Sequence, residues 1–162
     1  MAKLKRGDKA PDFKLQDQNG NTVGLDGFKG RTLLLYFYVK ADTPGCTTQA
    51  CSVRDTAADL KQLDLPAVGI SPDPVADQKA FDVKYKLGFP LLSDTGHKVA
   101  DAFGAWDSNA NRITRSSFLI DDQGLIVEAW YDVKPEDTVP KAKEAARVAA
   151  EKKPAQAGAR KE

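Results

Sequence analysis

Apolar and polar residues alternate on both sides of "NGN" in "PDFKLQDQNGNTVGL", residues 11–25, which predicts a β-hairpin turning near Asn19 and Gly20. The pattern then changes. "RTLLLYFYV", residues 31–39, is a continuous apolar run too short for most helices and rich in aromatic rings, so it reads as a strand buried on both faces. A helix is expected from about Pro44 to Leu63, a strand at 66–71 ("PAVGIS"), and a second helix from about Pro74 to Leu87. "FPLLSD" offers a short strand and "HKVADAF" a short helix, with His97 expected to cap or cover it. "SSFLIDDQGLIVEAWYDV" reads as two strands around a turn at Asp122 to Gly124, and an Ala-rich helix follows from about Pro135 to Ala150. Strands alternating with helices, then a closing hairpin and helix, imply an α/β fold: a mixed central sheet with helices on both faces and an N-terminal hairpin. Residues 1–150 are expected to form one domain. The ending "KKPAQAGARKE" lacks apolar periodicity, so 151–162 is expected to be a solvated tail.

Composition narrows the function. Twenty-four Lys and Arg against twenty-three Asp and Glu leave a net charge of +1, which supplies no field for a nucleic-acid partner. No uncharged apolar stretch approaches membrane-spanning length and no leader follows the basic N-terminus, so a cytoplasmic protein is expected. No glycine run continues into a phosphate loop. Asp121 and Asp122 read as turn formers, and Trp106 and Trp130 as packing residues.

The chemistry gathers in "KADTPGCTTQACSVRD", residues 40–55, which holds both cysteines, Cys46 and Cys51. Thr43 is placed to cap a helix, Pro44 suits its first position, and Cys46 then falls in the first turn, where free amides and the helix dipole favour a thiolate. Cys46, Ala50, Val53, Ala57 and Leu60 form one core-facing stripe, with Cys51 on its flank beside Arg54 and Ala58. Five helical residues put the two Cα atoms about 8.5 Å apart and turn the side chains about 140° from each other. A disulfide needs Cα atoms within roughly 7 Å, so the two cannot bond unless the helix start unwinds. The pair is either redox-active or simply buried. Four intervening residues do not match C-x-x-C, and two Cys plus the single His97 fall short of a zinc site.

The run "GDKAPDFKL … GFKGRTLLLYFYVKADTPGCTTQACSVRD … RSSFLIDDQG" resembles the peroxiredoxins, specifically the Q-type or bacterioferritin-comigratory-protein group, from Gly7 to about Ala150. The resemblance implies a thioredoxin-like fold and thiol-dependent reduction of hydrogen peroxide and organic hydroperoxides. It implies a peroxidatic role for Cys46, a resolving role for Cys51 through an intramolecular disulfide, a motif hydroxyl at Thr43, and an arginine beside the reactive sulfur at Arg115. It further implies recycling by thioredoxin or a similar dithiol, no metal, flavin or nucleotide, no nucleic-acid or membrane partner, and sufficiency as a monomer. Two positions depart from the family pattern, Val39 where it has Pro and Gln49 where it usually has Glu, and they are expected to alter rate without abolishing function. Two other readings compete with the peroxidase: a protein dithiol–disulfide oxidoreductase, and a redox-switched binding module with a blunted pocket.

Overall fold

The computed structural model describes residues 3–62 and 64–152, and the tail from residue 153 onward lies outside them. In these residues the strands are β1 (Lys14–Gln16), β2 (Thr22–Gly24), β3 (Leu33–Phe37), β4 (Ala67–Ser71), β5 (Leu91–Ser93), β6 (Trp106–Asp107), β7 (Arg112–Ile113), β8 (Ser116–Ile120) and β9 (Ile126–Trp130). The helices are α1 (Pro44–Asp55), α2 (Ala57–Gln62), α3 (Val75–Tyr85), α4 (Lys98–Ala102) and α5 (Thr138–Lys152). The main sheet runs β2-β1-β5-β4-β3-β8-β9. Its centre is parallel, β3 with β4 and β4 with β5, and its flanks are antiparallel. This is the mixed α/β sheet expected, with the N-terminal hairpin at one margin.

Every residue of β3, β4 and β8 is buried. Successive side chains therefore supply two cores, as the period of a strand requires. Leu33, Leu35 and Phe37 join Val68, Ile70, Leu92, Phe103, Phe118 and Ile120 on one face. Leu34, Tyr36 and Tyr38 join Leu91, Leu119, Phe81 and the buried sides of α1 and α5 on the other. Burial on both faces is why 31–39 shows no alternation.

Three details differ from the sequence reading. The helix expected from Pro44 to Leu63 is broken at Thr56, whose φ of −103° and ψ of 17° leave the helical region. Its hydroxyl donates to the Ser52 carbonyl at 2.7 Å, the local back-bonding by which a β-branched Thr bends a helix. The break resets the phase of the stripe, so Cys46, Ala50, Val53 and Leu60 are buried while Ala57 is exposed. A second hairpin, β6 with β7, sits between α4 and β8, on strands too short to register as a pattern. Finally, α5 begins at Thr138 after a 3-10 turn at Pro135–Asp137 and continues to Lys152, two residues beyond the expected domain end. Among the described residues no helix is long and apolar enough to cross a membrane.

Candidate active site

The site forms where β3 ends. The chain leaves Phe37, passes through the loop 38–43 and enters α1, so Cys46 lies just past the end of a central strand. Because β8 runs antiparallel to β3 with Ser116 opposite Phe37, the residue before β8, Arg115, is brought to the same end of the sheet from 69 positions away. Arg115 is half-buried, and its Nη1 donates toward Cys46 Sγ at 3.5 Å. The same nitrogen donates to Gln49 Oε1 at 3.0 Å. Cys46 is 1% exposed and Gln49 is fully buried.

In the sequence Gln49 stands out only as a neutral substitute for Glu. In the structure it is a relay: while Oε1 accepts from Arg115, Nε2 donates to the Thr138 hydroxyl at 2.7 Å, on the first residue of α5. Thr138 escapes sequence reading because nothing in a lone Thr ahead of an Ala-rich helix marks it. The available signal is indirect, since a buried amide must find an acceptor for its N–H as well as a donor for its oxygen.

Thr43 departs from expectation. It is the N-cap residue of α1, with extended φ and ψ of −92° and 156°, yet its side chain makes no capping bond. The hydroxyl instead donates to the Lys40 carbonyl at 2.8 Å across a tight turn in which Asp42 takes a left-handed φ of 63°. Pro44, at the start of the helix, has no N–H to cap.

The loop carrying Thr43 is held from both sides. Asp73 accepts from the Ala41 amide at 2.7 Å and from the Ser71 hydroxyl at 2.7 Å. Ser71 in turn accepts from Gln78, whose Oε1 accepts from the Tyr38 hydroxyl. On the outside, Asp42 accepts from Lys84 and from the Tyr85 hydroxyl, each at 2.8 Å, and these two donors hold its carboxyl below the usual range. None of these anchors is visible as a motif, because all depend on side chains from β4, α3 and the turn between them meeting the loop.

Cys51 lies one and a half turns on, half-buried on the flank of α1, and both cysteines are free thiols. The helix is continuous through both, so the expected separation stands. Burial pushes the Tyr36 phenol well up, with Tyr38 and the two sulfurs adding to the shift and Arg115 opposing it. Burial likewise raises Tyr38, so both phenols beneath the helix stay protonated at neutral pH.

The remaining expectations resolve outside the site. His97 is the residue before α4 but does not cap it; the Asp94 carboxylate does, accepting from Val99 and Ala100. His97 covers the helix instead, stacking on Trp106 with ring centroids 3.8 Å apart and contacting Asp101 at 3.0 Å. Asp121 forms the turn expected of it, accepting from Gln123 and Leu125. Among the described residues no group of three or more His, Cys, Asp or Glu is arranged to hold a metal.

Known proteins carry the same architecture. A model of the AhpC/TSA family matches residues 6–129. Peroxiredoxin Bcp of Bacillus subtilis is 43% identical over 142 residues, 84% of this chain and 90% of that protein. Among solved structures, peroxidoxin BcpB of Mycobacterium tuberculosis superposes with a TM-score of 0.84 at 33% identity, covering 90% of this chain and 97% of its own. The bacterioferritin comigratory protein of Xanthomonas campestris, solved as trapped intermediate and ligand complexes bearing on its alkyl peroxide reduction, gives 0.81 at 28% identity over 85% of this chain and 92% of its own. The chain belongs to the AhpC/TSA family and, within it, to the Bcp-type peroxiredoxins, which are thiol-dependent peroxidases.

Proposed function

We propose that this peroxidase reduces hydrogen peroxide and organic hydroperoxides with Cys46 as the attacking thiolate, Cys51 as the resolving thiol, and Arg115 and Thr43 as the groups that orient and polarise the peroxide. The observation that carries this reading is the Arg115 guanidinium 3.5 Å from a buried sulfur in the first turn of a helix. The alkyl peroxide reduction studied in the Xanthomonas relative supports the substrate class.

Cys46 sulfur attacks the terminal peroxide oxygen, an S–O bond forms, the O–O bond breaks, and the alkoxide or hydroxide that leaves takes up a proton. Thiolate formation alone contributes little, because nucleophilicity falls with basicity at a slope of about 0.4 to 0.5. The larger share must come from donors aimed at the charge that builds on the leaving oxygen, each worth about 3 kcal/mol. Arg115 supplies a permanent cation already oriented by Gln49. The proton of Thr43 is committed to Lys40, so its hydroxyl serves by offering a lone pair to the peroxide proton.

The product is Cys46 sulfenic acid. Cys51 condenses with it, forming the S–S bond and releasing water, once the first turns of α1 unwind to bring the sulfurs together. An external dithiol such as thioredoxin then supplies two electrons and regenerates both thiols. The electrons come from sulfur throughout, so the cycle calls for no metal, flavin or nucleotide. With both cysteines on one chain a monomer suffices, and the need for a reduced dithiol fits the cytoplasm.

The test is intact mass and free-thiol count within seconds of adding one equivalent of hydrogen peroxide. The wild type is expected to lose two thiols and two mass units, and Cys51→Ser to trap a one-oxygen adduct. Thiols that persist for minutes would sink the reading. The protein oxidoreductase and the binding module are not favoured, since neither needs a guanidinium against the buried sulfur.

A further inference from the structure

The polar chain behind Cys46 has an outer end. Arg115 is held by Gln49 through its amide oxygen, and a guanidinium can only donate. The amide therefore works only in one orientation: turned over, it would point its NH2 at another donor. Arg115 thus sets the polarity of the amide, and the outward N–H that this leaves inside the core is taken up by the Thr138 hydroxyl, which accepts from Nε2 at 2.7 Å. Both Gln49 and Thr138 are fully buried, so solvent has no access to replace that acceptor.

A Glu at position 49 would need no such help, because both carboxylate oxygens accept and neither orientation opposes Arg115. The neutral Gln49 gives up the charge and carries a buried N–H that needs an acceptor, and Thr138 supplies that acceptor. Thr138 also begins α5, so the orientation of Arg115 is tied to the docking of that helix on the sheet.

Resting on the peroxidase reading above, we propose that Thr138 is a positioning residue for this reaction: it takes the outward N–H of the buried Gln49 amide, holds that side chain in place and thereby aims Arg115 at Cys46. It touches neither the reacting sulfur nor the peroxide, and acts through two intervening side chains.

The experiment is a double-mutant cycle read by alkylation of Cys46 with iodoacetamide across pH, in a Cys51→Ser background where Cys46 is the single thiol. Thr138→Val removes the hydroxyl at nearly constant volume and is expected to slow alkylation at neutral pH about fivefold and displace the pH profile upward. Thr138→Ser keeps the hydroxyl and is expected to stay within about twofold of the parent. In a Gln49→Glu background the same Thr138→Val change is expected to cost less than about twofold, since an ionised carboxylate has no N–H to leave unpaired and its charge holds it on Arg115. Equal losses in the two backgrounds, no loss with Gln49, or Thr138→Ser behaving like Thr138→Val would each overturn the proposal, because packing at Thr138 is the same whichever residue stands at 49. If Thr138→Val does not fold with Gln49, the double variant decides: folding and alkylation recovered in the Gln49→Glu background support the proposal, and an unfolded double variant overturns it. Alkylation needs no peroxide, so a chain that left peroxide untouched would fail the peroxidase reading while the cycle still judged this one.

Discussion

The two faces of the central sheet are built on different principles. On the face away from α1, Phe13, Phe37, Phe103 and Phe118 form a continuous ring cluster, with centroids 5.1 to 6.5 Å apart and no polar atom in any side chain. On the face beneath α1, polar side chains are threaded through the core: Tyr38, Gln78, Ser71 and Asp73 reach the loop before the helix, and Thr138 and Gln49 reach Arg115. Apolar rings supply stability mainly by burial, which is non-directional. Hydrogen-bond chains are directional, contribute little net stability, and fix where atoms point. One face holds the fold while the other holds the sulfur.

Substitutions on the two faces are therefore expected to separate stability from reactivity. Phe118→Ala is expected to lower stability by about 3 to 5 kcal/mol through lost burial and a cavity, while Cys46 in the molecules still folded reacts at the parental rate; denaturant unfolding beside stopped-flow peroxide reduction measures both. Arg115→Met should do the converse, cutting the peroxide rate about a hundredfold or more, equivalent to about 3 kcal/mol at the transition state, with a nearly unchanged unfolding midpoint.

Tyr36 and Tyr38 sharpen the contrast within one strand and its exit. Tyr38→Phe strips Gln78 of a donor inside the core and is expected to cost about 1 to 3 kcal/mol in urea unfolding. Among the described residues the Tyr36 hydroxyl has no hydrogen-bond partner, so Tyr36→Phe is expected to be neutral or stabilising by up to about 1 kcal/mol.

The same two phenols set the response to alkali. Burial raises both phenols, so the folded chain keeps protons that the unfolded chain begins to release near pH 10. The contribution is fully present below about pH 10 and is lost as pH rises beyond it. The urea midpoint should accordingly fall between about pH 9.5 and 11.5, and fall less in Tyr36→Phe. An unchanged slope in that variant would show that Tyr36 does not contribute to the loss.

The same contrast explains which parts of the molecule are legible in its sequence. Doubly buried strands announce themselves as apolar runs, so β3, β4 and β8 are legible, as is the hairpin around Gly20. The place of Cys46 in the first turn of a helix, with Cys51 on its flank, is legible because Pro44 and helical spacing are local signals, and the place of Arg115 beside the sulfur only through family resemblance. The break at Thr56 is hidden because the apolar stripe continues in sequence past the point where the backbone bends. Thr138 and Asp73 are hidden because a directional bond between residues 89 or 32 positions apart leaves no periodic trace.

The margin of the sheet bears on durability. The segment 7–10 lies against residues 124–126, where β9 begins, with Gly7 donating to Ile126, Ile126 to Asp8 and Ala10 to Gly124, while Arg6 pairs with Glu128. A bare edge strand is a template onto which other chains can add. In the proposed cycle the active helix opens on each turnover and exposes apolar surface beneath it. By lacing its own N-terminal segment onto the start of that edge, the chain shortens the strand it offers to neighbours, a guard against association through this side while the helix is open.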